Sequence, residues 1–576
     1  LISIQQLIMC GIIAGVSTSD DPQTICNADT AARVSELTAR MTHRGPDETG
    51  IHLGDNFWLG HTRLSIVSPE HGIQPMKCND VANPAYAVVN GEIYNHKAIR
   101  EELDIDPSLF STESDSEIVI HGYNKIGLDI VDKLIGMFGF VLVTNGGKDV
   151  LVARDKIGIK PLYMGKTKDG LEYVFASELK CIVDQCHAAD MMLIPAGHYW
   201  TRKTGLVRYY NPDWDKDEYF DSVLAANAYS NAEECKQSLE DAVIMRCMAD
   251  VEVGLLLSGG LDSSIIGSIM TQPNVREKLT ATHGKIKSFA VGQEGSPDIL
   301  AARAVSKFLD TDHHEALFTP EDAFAVLEKI VYHMETYEPE LIRSSIPNYF
   351  LAKKTAEHVK VVLTGEGSDE IWSGYLYYAS CVDPKQLQEE NRRILKAVQF
   401  VNLQRADRMT MAHSLEARVP FFDVNHIATA MALDPVEKLC GDGANGRCEK
   451  HFLRKMYQDQ LPEEVVWRTK AMQCEGVGMT WVGVLQKYIS DNLVSDEDFA
   501  AAAQTFPTNT PHSKEEFYYR TIFEKYYPTC EKFVHVWPGG CRAAGSAWED
   551  DRYTRAGLLD TELLKKGHGL ASEISV

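Results

Sequence analysis

The sequence lacks several features that mark common classes of protein. It contains no CxxC pair, although it holds 13 cysteines in 576 residues. An odd number of scattered cysteines is typical of reduced intracellular thiols rather than of a disulfide framework or a zinc site. No apolar run is long enough to span a bilayer, and residues 1–9 show neither a charged leader nor a small-residue cleavage site. We therefore expect a cytoplasmic protein with no membrane partner.

Basic segments are also missing. The formal net charge is -25, and no run of lysine or arginine supplies a local positive patch. A nucleic-acid backbone would therefore be repelled, so we expect no nucleic-acid partner. The length is sufficient for at least two globular domains, each with a sizeable core.

The hydrophobic pattern changes near the middle of the chain. From Gly11 to about Val207, short β-rich runs alternate with turns, and 139–143 and 150–153 flank a hairpin-like Asn-Gly-Gly; this predicts an α+β or layered β domain. After a polar linker around 211–219, helical segments alternate with apolar strands, which predicts a parallel sheet covered by helices. The helices are expected at 233–248 and 298–309, and the strands at 253–257, 288–291 and 359–363. Residues 529–576 are predicted to form a loosely ordered tail.

A turn of small residues follows the first of these strands. It contains Ser258, Gly259, Gly260, Asp262, Ser263 and Ser264. The glycines let the backbone approach an anion, and the hydroxyl groups add donors to the free N–H groups at the start of the next helix. This predicts a pyrophosphate-binding loop, although an ordinary strand-to-helix turn would have similar residues. The GxxxxGK(S/T) pattern is absent, which disfavours a kinase or motor ATPase.

A second glycine-rich loop, residues 364–370, follows the strand at 359–363 in the same way. We expect the two loops to close on one site, because parallel strands end at the same edge of a sheet. Asp262 and Asp369 would supply carboxylates to a Mg²⁺ that accompanies ATP phosphates, and Glu366 would orient or deprotonate a substrate. The structural alternative for the second loop is a solvated acidic turn.

Charged residues beyond these loops are interpreted in two ways. The acidic and basic residues within 405–408 and 415–421 are assigned to structural ion pairs. Lys470 is a candidate catalytic residue, because an ammonium can neutralise charge on a transferring phosphoryl or acyl-phosphate oxygen. An ordinary exposed lysine is the simpler alternative.

In the first half of the chain, Cys10 is a candidate nucleophile. If it were the N-terminal residue, its α-amino group, with a pKa near 8, would accept the thiol proton. A buried structural cysteine is the alternative.

Polar residues downstream of Cys10 suit a zwitterionic amino acid with a cleavable side-chain amide, namely glutamine. Arg63 is able to clamp an α-carboxylate, Asn90 with the Gly91 N–H forms an oxyanion hole, and Glu92 and Asp115 hold an ammonium. The predicted glutamine-binding residues are Arg63, Leu64, Ser65, Ile66, Val67, Asn90, Gly91, Glu92 and Asp115.

Taken together, these residues resemble the glutamine-hydrolysing asparagine synthetases, a family of two-domain amidotransferases. The resemblance runs from Cys10 to about Tyr527 and is most specific at 256–264 and 364–370; it also includes 41–47 (MTHRGPD), 154–163, 176–178 and 416–422. It implies an α+β layered N-terminal-nucleophile glutaminase domain over 10–207. It also implies an α/β parallel-sheet synthetase domain over 231–528, similar to adenine nucleotide α-hydrolase-like ATP pyrophosphatases.

The activity implied by the resemblance is ATP-dependent synthesis of asparagine from aspartate through β-aspartyl-AMP. Cys10 would release ammonia from glutamine, and an internal passage would carry it, still unprotonated, to the second site. ATP as a substrate and Mg²⁺ are expected, Glu366 lies beside the acyl-adenylate, and a homodimer is compatible with the resemblance. The implied ATP-binding residues are Leu256, Ser258, Gly259, Gly260, Asp262, Ser263, Val291, Thr364 and Gly365.

Two features depart from the family pattern. Nine residues precede Cys10, so we expect translation to start at Met9 or a propeptide to be removed; otherwise the glutaminase half would be inactive and the enzyme would depend on free ammonia. Glu340 and Leu341 stand where the family usually has two threonines, and 471–476 (AMQCEG) replaces a more usual EQFSDG. Both changes affect which polar groups of an acceptor can be satisfied.

Two alternatives stay open at this point. A member of the same superfamily would amidate or cyclise a different carboxylate, and pyrophosphate release with a range of acceptors separates it from an asparagine synthetase. A catalytically silent relative would act as a metabolite-binding or regulatory subunit, and ATP–pyrophosphate exchange would argue against it.

Overall fold

The structure is a computed structural model, and it describes residues 10–19, 25–45, 47–68, 70–78, 84–226, 229–280, 284–444, 446–468, 481–536 and 548. The strands are β1 (Gly11–Ser17), β2 (Glu48–Leu53), β3 (Phe57–Arg63), β4 (Met76–Lys77), β5 (Tyr86–Ile93), β6 (Gly136–Thr144), β7 (Asp149–Arg154), β8 (Tyr163–Lys166), β9 (Glu172–Ala176), β10 (Met192–Leu193), β11 (His198–Thr201), β12 (Gly205–Arg208), β13 (Val253–Leu256), β14 (Lys287–Gly292), β15 (Asp312–Leu317), β16 (Val361–Leu363) and β17 (Glu416–Arg418).

The α-helices of the described residues are α1 (Thr30–Ala39), α2 (His96–Glu102), α3 (Ile118–Ile126), α4 (Ile130–Lys133), α5 (Tyr219–Ala226), α6 (Ala232–Arg246), α7 (Leu261–Met270), α8 (Pro273–Thr280), α9 (Pro297–Leu309), α10 (Pro320–Met334), α11 (Pro339–Thr355), α12 (Ser368–Ile371), α13 (Pro384–Ala397), α14 (Asn402–Met411), α15 (Val424–Met431), α16 (His451–Tyr457), α17 (Glu463–Val466), α18 (Trp481–Asn492), α19 (Asp496–Ala500), α20 (Ala502–Thr505) and α21 (Lys514–Tyr526). Within the described part of the chain, no helix has the length and apolar character that crossing a membrane requires.

The first domain is built from two antiparallel sheets that pack face to face. Their strand orders are β10-β8-β9-β1-β3-β2 and β12-β11-β7-β6-β5-β4. Apolar residues from both sheets fill the space between them, among them Ile12 and Phe57 from one and Val88, Val141 and Val152 from the other. Helix α1 covers the outer face of the first sheet and α3 that of the second, which confirms the predicted layered α+β architecture.

The predicted hairpin is present as β6 and β7, which pair from Gly139 with Arg154 to Thr144 with Asp149. The connection between them places Asn145, Gly146 and Gly147 at positive φ. Asparagine and glycine tolerate this backbone region better than other residues, so the Asn-Gly-Gly sequence was a reliable local signal.

The second domain contains a parallel sheet in the order β15-β14-β13-β16-β17. The predicted strands correspond to β13, β14 and β16, and the predicted helices to α6 and α9. β13 and β16 are neighbours, so the two glycine-rich loops leave the same edge of the sheet side by side. Strands β15 and β17 were not predicted, since both contain charged residues in place of a continuous apolar run.

The two domains meet across a buried network of charged side chains. The fully buried Arg44 places its Nη1 2.8 Å from Glu178 and 2.8 Å from Asp407. Arg408 reaches Glu335 at 2.8 Å and Glu178 at 3.4 Å. The predicted ion pairs of 405–408 are therefore present. Asp407 and Arg408 each pair with a residue of the first domain, so these ion pairs lie between the two domains.

The start of the predicted C-terminal tail packs against the body of the protein. Cys530 and Phe533 are buried, and the Phe533 ring meets Tyr163 of the first domain edge-on at 5.7 Å. Trp548 donates to the Ser380 hydroxyl at 3.0 Å. His535 stacks on Phe400 with ring centroids 4.0 Å apart, so contacts with the body of the protein extend at least to residue 535. Apart from Trp548, residues 537–576 lie outside the described residues.

Candidate active site

Cys10 lies directly before β1, where the interface network reaches the first domain. Its Sγ is 3.8 Å from the Leu64 carbonyl oxygen, and the Arg44 Nε donates to the Cys10 carbonyl oxygen at 3.1 Å. Burial raises the pKa of the Cys10 thiol to about 12. At neutral pH the thiol is therefore protonated, and a nucleophilic role requires a base beside it.

Asn90 and Gly91 lie on β5, close to the strand that follows Cys10. The Ser177 Oγ accepts from the Ile12 N–H at 3.0 Å and from the Asn90 Nδ2 at 3.3 Å, which brings Asn90 next to β1. The Asn90 side-chain oxygen is buried and has no hydrogen-bond partner among the described residues. Gly91 has φ +129°, and a Cβ there would lie 1.9 Å from the Met137 carbonyl oxygen, so only glycine fits.

Two buried carboxyl groups, Glu92 and Asp115, continue this pocket. The Ile93 N–H donates to Asp115 at 2.6 Å. Burial raises the pKa of Asp115 to about 6 and, with Asp115 as the largest charged neighbour, raises the pKa of Glu92 well above its usual value. One Glu92 oxygen has no hydrogen bond within the described part of the chain. A substrate ammonium would offset the cost of burying these charges.

Arg63 is engaged by the protein itself. Its Nη1 contacts Glu48 at 2.8 Å, and its Nη2 donates to the Ser68 carbonyl oxygen at 2.7 Å. These bonds fix the turn after β3, which carries Leu64, Ser65, Ile66 and Val67. Ser65 is further held through its N–H, which donates to Asp47 at 2.9 Å. Arg63 therefore orders the predicted glutamine-binding turn, and a substrate carboxylate would share or displace its contact with Glu48.

Strand β17 of the second domain lies directly under this pocket. Arg418 is 3.4 Å from Glu92, and the negative charges of Glu416 and Glu92 both act on the Cys10 thiol. Ala417, between these two charged residues, lines the cavity of the second domain. Since side chains alternate along a strand, β17 has the first site on one face and the second site on the other.

The second site is a cavity of ≈ 310 Å³ at the carboxyl edge of the parallel sheet. Eight of the nine predicted ATP-binding residues line it: Leu256, Ser258, Gly260, Asp262, Ser263, Val291, Thr364 and Gly365. Gly259 does not; it has φ +75°, and a Cβ there would lie 2.5 Å from the α9 backbone at Ala301 and Ala302. Gly259 thus allows the loop to pack closely on α9.

The two glycine-rich loops are in direct contact. A Cβ on Gly365 would lie 2.9 Å from both the Asp262 Cβ and the Ser263 backbone nitrogen. The Ser368 hydroxyl donates to Asp262 at 2.7 Å, which ties the second loop to the first. Residues separated by about a hundred positions in sequence therefore form one wall of the cavity.

Asp262 and Asp369, the predicted metal ligands, converge on one cation of the protein. The Lys450 Nζ is 2.7 Å from Asp262 and 2.5 Å from Asp369, and its side chain is 2% exposed. Gly374 leaves room for this arrangement, because a Cβ there would collide with Lys450 and Asp369. No local sequence pattern predicted Lys450, which directly precedes α16.

Glu366 faces the same cavity and pairs with Arg405 of α14 at 2.9 Å. The Arg405 Nη1 also donates to the Ser344 hydroxyl at 3.0 Å. The sequence interpretation placed Arg405 among structural ion pairs, but the structure places it in the cavity lining beside the predicted substrate-orienting carboxylate. Lys470 and residues 1–9 lie outside the described residues.

Comparison with known proteins agrees with this two-site architecture. Residues 9–201 match the family described as a glutamine amidotransferase domain, and residues 234–383 and 382–550 match the family described as asparagine synthase. The chain is 41% identical over 545 residues to glutamine-hydrolysing asparagine synthetase 2 of Oryza sativa subsp. japonica, covering 93% of this chain and 89% of that protein. It is 42% identical over 520 residues to glutamine-hydrolysing asparagine synthetase B of Escherichia coli (strain K12), covering 89% of this chain and 91% of that one.

The two family matches thus cover most of this chain, and the chain covers about nine tenths of the length of both relatives. The chain belongs to the family of glutamine-hydrolysing asparagine synthetases.

Proposed function

We propose that this protein synthesises asparagine from aspartate and ATP, with ammonia supplied by glutamine. The observation that carries the proposal is the contact of Gly365 with Asp262 and Ser263, which joins two anion-binding loops around one cavity. Glu366 and Arg405 line the same cavity and are paired at 2.9 Å, so charged groups that could position a carboxylate acceptor lie in the cavity that the nucleotide loops form.

The first reaction takes place in the pocket around Cys10. Once Cys10 is the first residue of the chain, its thiol proton passes to its free α-amino group and Sγ bonds to the side-chain carbonyl carbon of glutamine. The C–N bond then breaks, and the same proton passes from the α-amino group to the leaving nitrogen, which departs as ammonia. Water then hydrolyses the thioester to give glutamate. Asn90 and the Gly91 N–H stabilise the oxyanion, while Glu92, Asp115 and the turn ordered by Arg63 hold the amino-acid end.

The second reaction takes place in the cavity between the glycine-rich loops. The β-carboxylate of aspartate attacks the α-phosphorus of ATP, the bond to pyrophosphate breaks, and β-aspartyl-AMP forms. Ammonia then attacks the activated carbonyl, AMP leaves, and the proton lost from nitrogen passes to a nearby base. The Ser258 loop suits the leaving pyrophosphate, and we assign Lys470 to the charge that develops on the transferring oxygens.

The residues present fit a Mg²⁺ ion. The Asp262 and Asp369 oxygens lie within 2.5–2.7 Å of a common point, because both contact the Lys450 Nζ. Two carboxylates completed by phosphate oxygens are the donor set that Mg²⁺ commonly takes with nucleotides. When bound, the ion would neutralise charge on the departing pyrophosphate, and Lys450, which lies between the same two carboxylates, supplies further positive charge at this point.

Ammonia would pass between the sites at strand β17. Glu416 and Arg418 face the Cys10 pocket, whereas Ala417 lines the cavity of the second domain. The barrier at this point is a single strand with a small side chain. A short enclosed path keeps ammonia unprotonated, because it avoids exchange with bulk water.

The proposal is tested with a Cys10→Ala variant of the full chain. We expect it to lose formation of asparagine, AMP and pyrophosphate with glutamine as donor, and to keep that activity within about threefold with ammonium chloride, since the two sites are separate. Wild-type protein with ammonium chloride is the control. Absence of aspartate- and ATP-dependent pyrophosphate release with either donor would rule the proposal out.

One observation favours a second candidate function, amidation of a different carboxylate by the same adenylation chemistry. The cavity wall formed by α11 presents Glu340 and Leu341, and Arg343 of this helix is already paired with two carboxylates. The acceptor side of the site is therefore acidic and partly apolar. This limits which charged and polar groups of an acceptor, including those of aspartate, can be satisfied there.

A further inference from the structure

The acceptor side of the cavity is formed by the first turns of α11. Glu340, Leu341, Ser344 and Asn348 line it. Glu340, Ser344 and Asn348 are spaced four residues apart, so they lie on one face of the helix. The groups on this face determine which substituents of an acceptor are recognised.

Arg343, on the same turn, is not free to bind an acceptor carboxylate. Its Nε and Nη2 contact the two oxygens of Glu515 at 2.9 and 2.5 Å, and its Nη1 contacts Glu340 at 2.7 Å. Glu515 is itself held by the Tyr519 hydroxyl and by Gln486, both at 3.1 Å. One guanidinium is thus shared by two carboxylates, and the group as a whole carries a net negative charge.

Glu340 is where this negative charge reaches the cavity. Only one of its oxygens contacts Arg343, and its other oxygen has no hydrogen bond among the described residues. The side chain is 27% exposed, whereas that of Glu515 is 3% exposed. A second cation of the cavity lining, Arg405, is compensated by Glu366 at 2.9 Å. A ligand group facing Glu340 would therefore be favoured if it carried positive charge and hydrogen-bond donors.

Leu341 further restricts which acceptor groups can bind at this wall of the cavity. It is 1% exposed and lines the cavity beside Glu340 without offering a hydrogen bond from its side chain. An anionic acceptor group placed here would be desolvated next to a carboxylate and an apolar side chain, which is unfavourable.

We propose that Glu340 binds the protonated amine of the acceptor, so that this protein selects carboxylates that carry an ammonium group. This rests on the proposed adenylation of a carboxylate and adds which other group of the acceptor is recognised. In aspartate the group would be the α-ammonium; in a longer acceptor it would be an amine further along the chain.

The test uses four acceptors: L-aspartate, two compounds that each lack one of its groups, and one with a longer chain. L-Aspartate carries both an ammonium and an α-carboxylate, succinate lacks the ammonium, and β-alanine lacks the α-carboxylate. 4-Aminobutyrate adds one methylene to β-alanine and tests a more distant amine. Pyrophosphate release is measured with ammonium chloride as nitrogen donor, so the glutaminase site is not needed.

We expect the wild type to prefer β-alanine to succinate by at least about tenfold in kcat/KM, because a charge-assisted hydrogen bond is worth that much. Glu340→Gln should raise KM for aspartate by about tenfold or more, with smaller effects on kcat and on KM for ATP. It should also remove the preference for β-alanine, and Glu340→Asp should restore part of it. A better rate with 4-aminobutyrate than with aspartate would assign the amine to a longer acceptor.

Glu321→Gln is the matched control, because Glu321 is an exposed first-turn acid of α10 outside the cavity. Glutamine hydrolysis by the same variants reports that the chain is folded. If the wild type converts aspartate but Glu340→Gln leaves the KM for aspartate and the β-alanine to succinate ratio unchanged, this proposal is wrong and the proposed function stands. A loss in Glu340→Gln that is equal for all acceptors would assign Glu340 a structural role and also overturn it. Failure of the wild type with every acceptor would refute both.

Discussion

At the scale of single residues, the second site holds a carboxyl group whose ionisation is opposed by its surroundings. Glu370 is 1% exposed and accepts a hydrogen bond from the Tyr375 hydroxyl at 2.8 Å and another from Asn402. Burial, with Asp369 and Glu366 nearby, raises the pKa of Glu370 to about 7. The folded protein therefore keeps a proton that the unfolded chain loses at lower pH.

This linkage predicts a pH dependence of stability. Below about pH 4.5 the Glu370 carboxyl is protonated in both the folded and the unfolded state, so its contribution to the free energy of unfolding is fully present. This contribution declines as the pH rises, because only the unfolded chain loses the proton, and it is lost above about pH 7. Glu370→Gln removes this titration. We expect the stability of the wild type relative to the variant to fall by up to about 3 kcal/mol between pH 4.5 and pH 8.

Thermal melting of both proteins at several pH values in this range measures the effect. Glu389→Gln on the exposed side of α13 is the control, and its difference from the wild type should not follow the same curve. A wild-type to Glu370→Gln difference that is constant with pH would contradict the prediction.

Individual residues of the site could be predicted from sequence to different extents. Asp262, Thr364 and Glu366 occur within glycine-rich loops next to strands, so local pattern was enough to place them at one edge of the sheet. Lys450 and Arg405 have no such pattern; Lys450 meets Asp262 across 188 positions of sequence, and Arg405 meets Glu366 across 39. Pairs of this kind depend on the tertiary fold, which the order of residues near them does not reveal.

At the scale of elements, the second site depends on two loops that approach without side chains between them. Strand β13 ends at Leu256 and β16 at Leu363, and their parallel pairing sets Leu255 opposite Leu363. The following loops then meet at Gly365 and Asp262. The strand positions and the hairpin of β6 and β7 were predictable, because hydrophobic runs and glycine-rich turns are local signals. β17 was not, since tertiary burial overrides the poor strand propensity of Glu416 and Arg418.

Gly365→Ala tests this close approach. The new Cβ would lie 2.9 Å from the Asp262 Cβ and the Ser263 nitrogen, both in the first turn of α7 directly after the opposite loop, so the two segments must separate. We expect ATP- and acceptor-dependent pyrophosphate release to fall by about a hundredfold or more, because small displacements of reacting groups have effects of that order. Glutamine hydrolysis should be retained.

Gly483→Ala is the matched control. It lies on α18, and a Cβ there meets no atom within 4 Å. This variant should retain both activities and gain slightly in stability, since alanine favours a helix over glycine. Equal activity of Gly365→Ala and Gly483→Ala would show that loop contact is not required.

At the scale of the whole molecule, the two domains are joined by charge pairs that neither domain completes alone. Arg44 and Glu178 come from the first domain, whereas Asp407, Arg408 and Glu335 come from the second. Arg44 and Asp407 are 363 positions apart in sequence. The charged residues within 405–408 predicted ion pairs, but only the folded chain shows that these pairs cross the domain boundary.

Asp407→Asn should weaken this junction. It leaves the fully buried Arg44 with one carboxylate fewer, and removal of one partner from a buried pair typically costs about 3–5 kcal/mol. Because Arg44 also bonds to the Cys10 carbonyl oxygen, we expect less asparagine per glutamine hydrolysed than in the wild type. Thermal melting and parallel assays of glutamate and asparagine measure the two effects.

Asp491→Asn, which breaks the exposed Lys487–Asp491 pair of α18, is the control. It should change stability by no more than about 0.5 kcal/mol and leave the product ratio unaltered. An unchanged product ratio in Asp407→Asn together with wild-type stability would contradict a coupling role for the junction.

The bond from Arg44 to the Cys10 carbonyl has a consequence for the order in which the protein becomes active during its synthesis. The first domain leaves the ribosome before residue 407 has been translated, and domains generally fold as they emerge. Arg44 then lacks its partner Asp407, and Glu178 lacks Arg408. The surroundings of Cys10 are completed only when the second domain docks, so a half-made chain would be poorly suited to consume glutamine for ammonia that it has no site to use.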